Sequence, residues 1–190
     1  MKVITSPEKI TPLGGFNFCN ELLLKSGIPC LIDDHLGKRV KYVGFNYSEI
    51  MMNHLAIFFN GGDCTEDIHE HLGPYLKQIP NLSVCSPDTI LRGIKELATP
   101  TQQITSDNGI EHEFNINLKL NRLMVKCLVK THQLELGKEY TLDYDNQVIP
   151  TEKYDAKKTY KKCDGYQPGV SSIGKHVVYI DRKTSCRERV

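Results

Sequence analysis

The chain has 190 residues, 39% hydrophobic and 25% charged, with a formal net charge of +1. That composition suits one large or two small packed domains and excludes a low-complexity or disordered polymer. The longest apolar stretch, Leu55–Phe59, is too short to span a bilayer, so no membrane partner is expected. MKVITSPEKITPLGG lacks the cationic region and apolar core of a secretory signal, which points to a cytoplasmic protein.

The first hundred residues read as helical. Phe16–Ser26 places Phe18, Leu22 and Leu23 at helical spacing and stops at Gly27, with Pro29 beyond. A short helix over Cys30–Leu36 ends at Gly37. Next, NYSEIMMNHLAIFFNGG offers Ser48 as an N-cap, an apolar run on most of its circumference and a stop at Gly61–Gly62, the pattern of a core helix. Asp63 can cap a helix opening TEDIHEHL, which Gly73–Pro74 then disturbs. Ser86-Pro87-Asp88-Thr89 opens another helix, with Ser86 as N-cap and Pro87 at N1, where its missing N–H costs nothing. Ile90, Leu91, Ile94, Leu97 and Ala98 form its apolar stripe; Thr89, Arg92, Lys95 and Glu96 face outward. A helix, a turn and a capped second helix with a polar, basic outer face suit a helix-turn-helix in which Thr89, Arg92 and Lys95 contact DNA, or an ordinary helical hairpin.

Residues 99–110 are polar and read as a linker. A long helix over Glu111–Thr131 is predicted, followed after Gly137 by a strand in EYTLDYDNQVI. Gly169–Ile173 and His176–Ile180 read as two strands joined by a turn at Gly174-Lys175. Charge is uneven: residues 1–110 carry 9 Lys/Arg against 12 Asp/Glu, and residues 111–190 carry 15 against 11. A basic second half is compatible with phosphate contact. Lys153, Lys157, Lys158, Lys161 and Lys162, interleaved with Tyr154 and Tyr160, are either DNA-tracking cations or a solvated charged loop. Seven cysteines, an odd number with no CxxC pair, exclude a zinc ribbon and a disulfide framework, leaving reduced, mostly buried thiols. Cys64, His69 and His71 lack a fourth ligand at zinc spacing.

Asp143 and Asp145 stand two apart on the predicted strand and so point to one face, beside Leu142, Tyr144 and Val148. If that face is buried, the carboxylates need a positive neighbour, and Mg²⁺ or Mn²⁺ is one solution. A solvated strand face or an acidic turn is the other reading.

The run YTLDYDNQVIPTEKYDAKKTYKKCDGYQPG (Tyr140–Gly169) resembles the opening strand of the catalytic domain in group 1 DDE insertion-sequence transposases. GGFNFCNELLLKSGIPCLIDD, YSEIMMNHLAIFFNGGDCTEDIHEHLGPYL and SPDTILRGIKELA resemble the same family in the same order. The resemblance implies an α+β protein: a helical DNA-binding and assembly region over 1–98, then the start of an RNase H-like domain over 111–180. It implies Asp145, or alternatively Asp143, as the first catalytic Asp. Both would be ligands in a two-metal Mg²⁺ or Mn²⁺ site that cleaves and joins DNA at terminal inverted repeats and target DNA, with a homo-oligomer as a possible assembly. A non-enzymatic DNA-binding or regulatory fragment is the alternative.

The last ten residues, DRKTSCRERV, break the strand pattern and resemble a translated sequencing-library adapter, so 181–190 is read as a non-native tail. The second Asp and the Glu implied by the resemblance have no place in 146–180, where the only acids are Glu152, Asp155 and Asp164. The chain is therefore expected to be a truncated, inactive form, with an unpaired sheet edge at His176–Ile180.

Overall fold

The computed structural model describes residues 10–39, 44–105, 109, 111–154 and 156–183, apart from the side chains of 104, 111–114, 182 and 183. It is a mixed fold of helices and an antiparallel sheet, divided into two compact units after Leu97.

The first unit is helical: α1 (Gly14–Lys25), α2 (Ile28–Leu36), α3 (Tyr47–Phe59), a π-helical turn (Ile68–Leu72) running into α4 (Gly73–Leu76), and α5 (Pro87–Glu96). Its core joins Phe16, Ile50, Ala56, Ile57, Ile68, Leu72, Leu76, Ile79, Cys85 and Ile90. α3 lies in that core as its apolar circumference requires, but its N-cap is Asn46 and not Ser48. Glu49 accepts the Asn46 N–H at 2.8 Å in a capping box. Ser48 is tied instead to α2, giving its N–H (2.9 Å) and hydroxyl (2.6 Å) to the Asp33 carboxylate. Gly61 is left-handed at φ 81°, the conformation that stops the helix.

α1 faces the other way from its predicted stripe. Phe16 and Asn20 are buried, whereas Phe18 and Leu22 are 71% and 67% exposed. Asn20 fixes this orientation by donating to the Pro80 carbonyl at 3.0 Å. Gly73–Pro74 disturbs the helix without ending it: the turn just before it, Ile68–Leu72, takes π geometry and runs into α4. Pro74 has no N–H to give to the preceding turn, and a π-bulge re-registers the ladder around that gap. A Cβ on Gly73 would overlap the Ile68 carbonyl oxygen. Asp67, not Asp63, organises the entry: its carboxylate accepts the N–H groups of Asp63 (2.9 Å) and Cys64 (3.2 Å).

Fully buried Asn53 donates to the carbonyls of Glu49 (2.8 Å) and Ser83 (2.7 Å) and accepts from the Cys85 N–H (3.1 Å). It thereby holds the segment before α5 against α3. α5 begins as predicted, with Ser86 accepting the Thr89 N–H and Pro87 in the first turn. The helix packs through Ile90 and Gly93, where an added Cβ would press on the Ile50 side chain. Leu91 and Ile94 are instead 47% and 42% exposed. Glu96 does not face freely outward: Arg39 grips it with two hydrogen bonds (2.8 and 2.6 Å), and the Tyr47 hydroxyl donates to it at 3.3 Å.

The second unit contains β1 (Gln102–Thr105), β2 (Glu111–Asn115), α6 (Leu118–Lys130), β3 (Asp143–Asn146), β4 (Ile149–Pro150), β5 (Lys157–Lys158), β6 (Asp164–Ile173) and β7 (His176–Lys183). The strand order is β1-β2-β7-β6-β3, with β4 and β5 also pairing β6, and every pairing is antiparallel. The expected linker thus contains a strand, and the expected long helix is a strand followed by a shorter helix. Asn117 separates the two, capping α6 by accepting the Leu120 N–H at 3.0 Å. The β6–β7 hairpin turns at Gly174 (φ 57°), as the Gly-Lys pair predicts.

β7 does not stop at Ile180 but runs through Lys183, pairing with β2 at Arg182 and Lys183. Asp181, placed by sequence in the tail, is buried and accepts the Gly169 N–H at 3.1 Å and the Tyr144 hydroxyl at 3.4 Å. The rest of that tail, 184–190, lies outside the described residues. Nor is Ile180 an open edge. The α6 residue Asn121 donates to the Ile180 carbonyl (2.9 Å) and accepts its N–H (3.1 Å), standing in for a neighbouring strand.

The thiols also depart from expectation. Among the described residues, Cys19, Cys30 and Cys64 are exposed, Cys127 and Cys163 half-buried and Cys85 buried, and these six are free; Cys186 lies outside the described residues. Burial pushes the Cys85 thiol up to about 11. With a maleimide at pH 8, peptide mapping of the native chain should find Cys19 and Cys30 labelled first and Cys85 only after denaturation. Labelling of Cys85 as fast as Cys19 would contradict this packing.

Candidate functional site

Asp143 and Asp145 lie on the outermost strand of the sheet, opposite Ser172 and Val170 of β6. Alternation puts both carboxylates on one face. All four β3 residues are exposed, so the predicted strand is shorter than EYTLDYDNQVI and its acidic face is open. Burial therefore does not demand a compensating cation here. The intervening Tyr144 points the other way: its ring lies over Gly169, where a Cβ would collide with the phenol oxygen, and its hydroxyl meets Asp181. Burial, followed by the Asp181 carboxylate, holds the Tyr144 phenol above its ordinary value. β3 is thus pinned from one side while its two acids stay free to engage a ligand on the other.

As for chemistry, two exposed carboxylates on a paired strand supply oxygen ligands of the kind hard divalent cations take. They make part of such a site. Among the described residues, the group of three or more metal-ligating side chains within mutual reach is Asp63, Cys64 and Asp67, in the other unit. His69 and His71 do not join it. The Cys64 and Asp63 N–H groups hold the Asp67 carboxyl below its usual value, an arrangement that serves the turn itself.

The lysines gather around one hairpin. Lys157 and Lys158 form β5, Lys161 and Lys162 sit in the tight turn to β6, and Lys153 stands on the preceding turn; all five are exposed. Lys158 pairs with Asp164 at 2.9 Å, Lys161 sits over the Tyr160 ring, and Lys162 takes a positive φ of 64°. Of the predicted contacts on α5, Arg92 and Lys95 are exposed, with Arg92 donating to the Asp88 carbonyl at 3.1 Å. Thr89 is half-buried, and its hydroxyl is engaged with Ser86 at 2.9 Å. Ten residues, 77–86, connect α4 to α5, where a helix-turn-helix uses three or four. No helix among the described residues is long and apolar enough to cross a membrane.

No protein-family model, curated protein or solved structure matches the chain. What stands on fold and geometry is an α+β chain whose second unit presents paired acids at a sheet edge and lysines on an adjacent hairpin.

Proposed function

We propose that the chain is part of an insertion-sequence DNA transposase of the DDE type, with its second unit contributing the opening strands of an RNase H-like catalytic domain. The observation that carries this reading is the placement of Asp143 and Asp145 on one open face of a strand that resembles the family's first catalytic strand. A strand held by β6 on one side and by the Tyr144–Asp181 contact is a rigid support for metal ligands. Divalent metal bound there would supply activation of the attacking oxygen and neutralisation of the leaving one. The protein's own part is to hold those carboxylates and, through the lysine-bearing hairpin, to position phosphates without reading sequence. In the first unit, Arg92 and Lys95 on α5 offer a second set of DNA contacts. Terminal inverted repeats and target DNA are the proposed partners, with a homo-oligomer as the possible assembly.

The non-enzymatic alternative, a DNA-binding module, is favoured by one specific observation: no third ligating side chain joins Asp143 and Asp145 among the described residues. A single assay separates the two. On a plasmid carrying the element's ends with Mn²⁺, the 190-residue chain alone is expected not to nick. The protein from an extended reading frame should cut, and Asp145→Ala in it should abolish cutting while leaving binding nearly intact. Normal cutting by both Asp145→Ala and Asp143→Ala would remove the catalytic assignment, and no cutting by any extended form would favour the binding module.

A further inference from the structure

A cleft in the first unit, between α1 and the loop before α5, has an acceptor set that none of the contacts above uses. It encloses about 480 Å³, and its walls include Asn17, Phe18, Asn20, Glu21 and Leu24 of α1 and Pro80 of the loop. Asn17, Asn20, Glu21 and Leu24 stand at i, i+3, i+4 and i+7, so they share one side of the helix. Burial falls across that side: Asn20 is 2% exposed, Asn17 half-buried and Glu21 exposed. The Oδ1 atoms of Asn17 and Asn20 are both buried, and neither accepts a hydrogen bond. At Asn20 the identity of the orphan atom is fixed. Its Nδ2 donates to the Pro80 carbonyl at 3.0 Å, and turning the amide over would set oxygen against oxygen. A buried acceptor without a donor costs the full desolvation of the group, and here two such oxygens lie within one helical turn.

We infer that this cleft binds the N–H-bearing head of an organic cation, a primary ammonium or guanidinium on a short apolar stem. Two amide oxygens wait for donors, and the Glu21 carboxylate stands beside them on the solvent side. No Lys, Arg or His is among the described residues that line the cleft, so an anion finds no counter-charge there. Glu21 also meets Lys25 at 2.6 Å, but both side chains are well exposed. Such a pair contributes little and leaves carboxylate lone pairs over. Phe18, Leu24 and Pro80 offer apolar cover for the stem. A metal ion is the poorer fit, because hard cations gather six or more oxygens, commonly from several carboxylates. The site lies wholly in the first unit and shares no residue with the proposed DNA contacts, so it stands apart from that reading.

The test titrates the isotopically labelled full chain by NMR, at constant ionic strength, with n-butylammonium and n-butylguanidinium. At least one should shift the Asn17 and Asn20 amides saturably, with half-saturation in the roughly millimolar range that suits so small a ligand. Tetramethylammonium carries the charge without N–H donors, and butyramide carries donors without the charge. Each should bind at least about tenfold more weakly. Asn17→Leu should weaken cation binding by about tenfold or more. Because it replaces an orphan acceptor with apolar surface, its melting temperature should be unchanged or raised, which separates a lost contact from a lost fold. Asn17→Asp keeps an acceptor, adds a charge and should tighten binding. Capped arginine or lysine (N-acetyl, N-methylamide) binding more tightly than putrescine would identify a peptide side chain as the occupant, and the reverse order a free polyamine; either supports the cation site. No saturable shift with either butyl cation would overturn it. So would equal binding of tetramethylammonium or butyramide, or unchanged affinity in a folded Asn17→Leu variant.

Discussion

Asn53→Leu should destabilise the first unit by about 3 kcal/mol, because it strands the Cys85 N–H and the Ser83 carbonyl without the partners that α3 provides. Leucine keeps the branched four-atom outline of asparagine, so no cavity is left, and its bulkier methyl groups add some overpacking to the loss. The side chain is 0% exposed, so water cannot replace the missing groups without opening the core. In chemical unfolding the expected sign is an earlier first transition, with the second unit's transition unmoved. Asn60→Ala on the same helix is the control: Asn60 bonds only within its own final turn and should cost about 1 kcal/mol or less. Equal effects at Asn53 and Asn60 would show that the bridge to Ser83 and Cys85 carries no particular weight.

The second large effect is expected in the sheet. Asn121→Leu leaves the Ile180 N–H and carbonyl unpaired at the side of β7 that α6 covers, a loss of about 3 kcal/mol. It also exposes strand backbone, so the variant should self-associate with concentration in sedimentation where the wild type does not. Asn121→Asp separates the two hydrogen bonds. A carboxylate still accepts the Ile180 N–H but sets its second oxygen against the carbonyl, so at neutral pH the variant's stability should fall at least as far as that of Asn121→Leu. An Asn121→Leu variant as stable and as dispersed as the wild type would show that Asn121 does not guard this edge.

These two asparagines also mark the limit of what was legible in the sequence. Strong periodicity located α3 and the Ser86–Pro87 start of α5, and Gly174 marked the β6–β7 turn, because each signal is local and sits within a few residues of the structure it sets. Asn20, Asn53 and Asn121 were invisible as core residues. A polar side chain reads as solvent-facing until its partners are known, and theirs lie some thirty to sixty positions away. The inverted face of α1 follows from the same blindness, since Asn20 had to be counted with Phe16 for the buried side to emerge. β2 reads as helix in the sequence because both its partners are out of view there: β1 lies in the expected linker, and Arg182 and Lys183 of β7 lie in the expected tail. At the candidate site, two-residue periodicity was enough to put Asp143 and Asp145 on one side of a strand. That β3 is outermost and open came only with its neighbours.

The outermost position of β3 bears on solubility as well as chemistry. A bare strand edge invites another chain to add a strand, and proteins guard such edges with charge, short length or a proline. β3 is four residues long, carries two like charges on one face and is followed within a few residues by Pro150. The same carboxylates that would hold a metal therefore also repel a second copy of the strand. Neutralising both to test the proposed metal site would remove that protection too, so any loss of function in such a double variant has to be distinguished from precipitation.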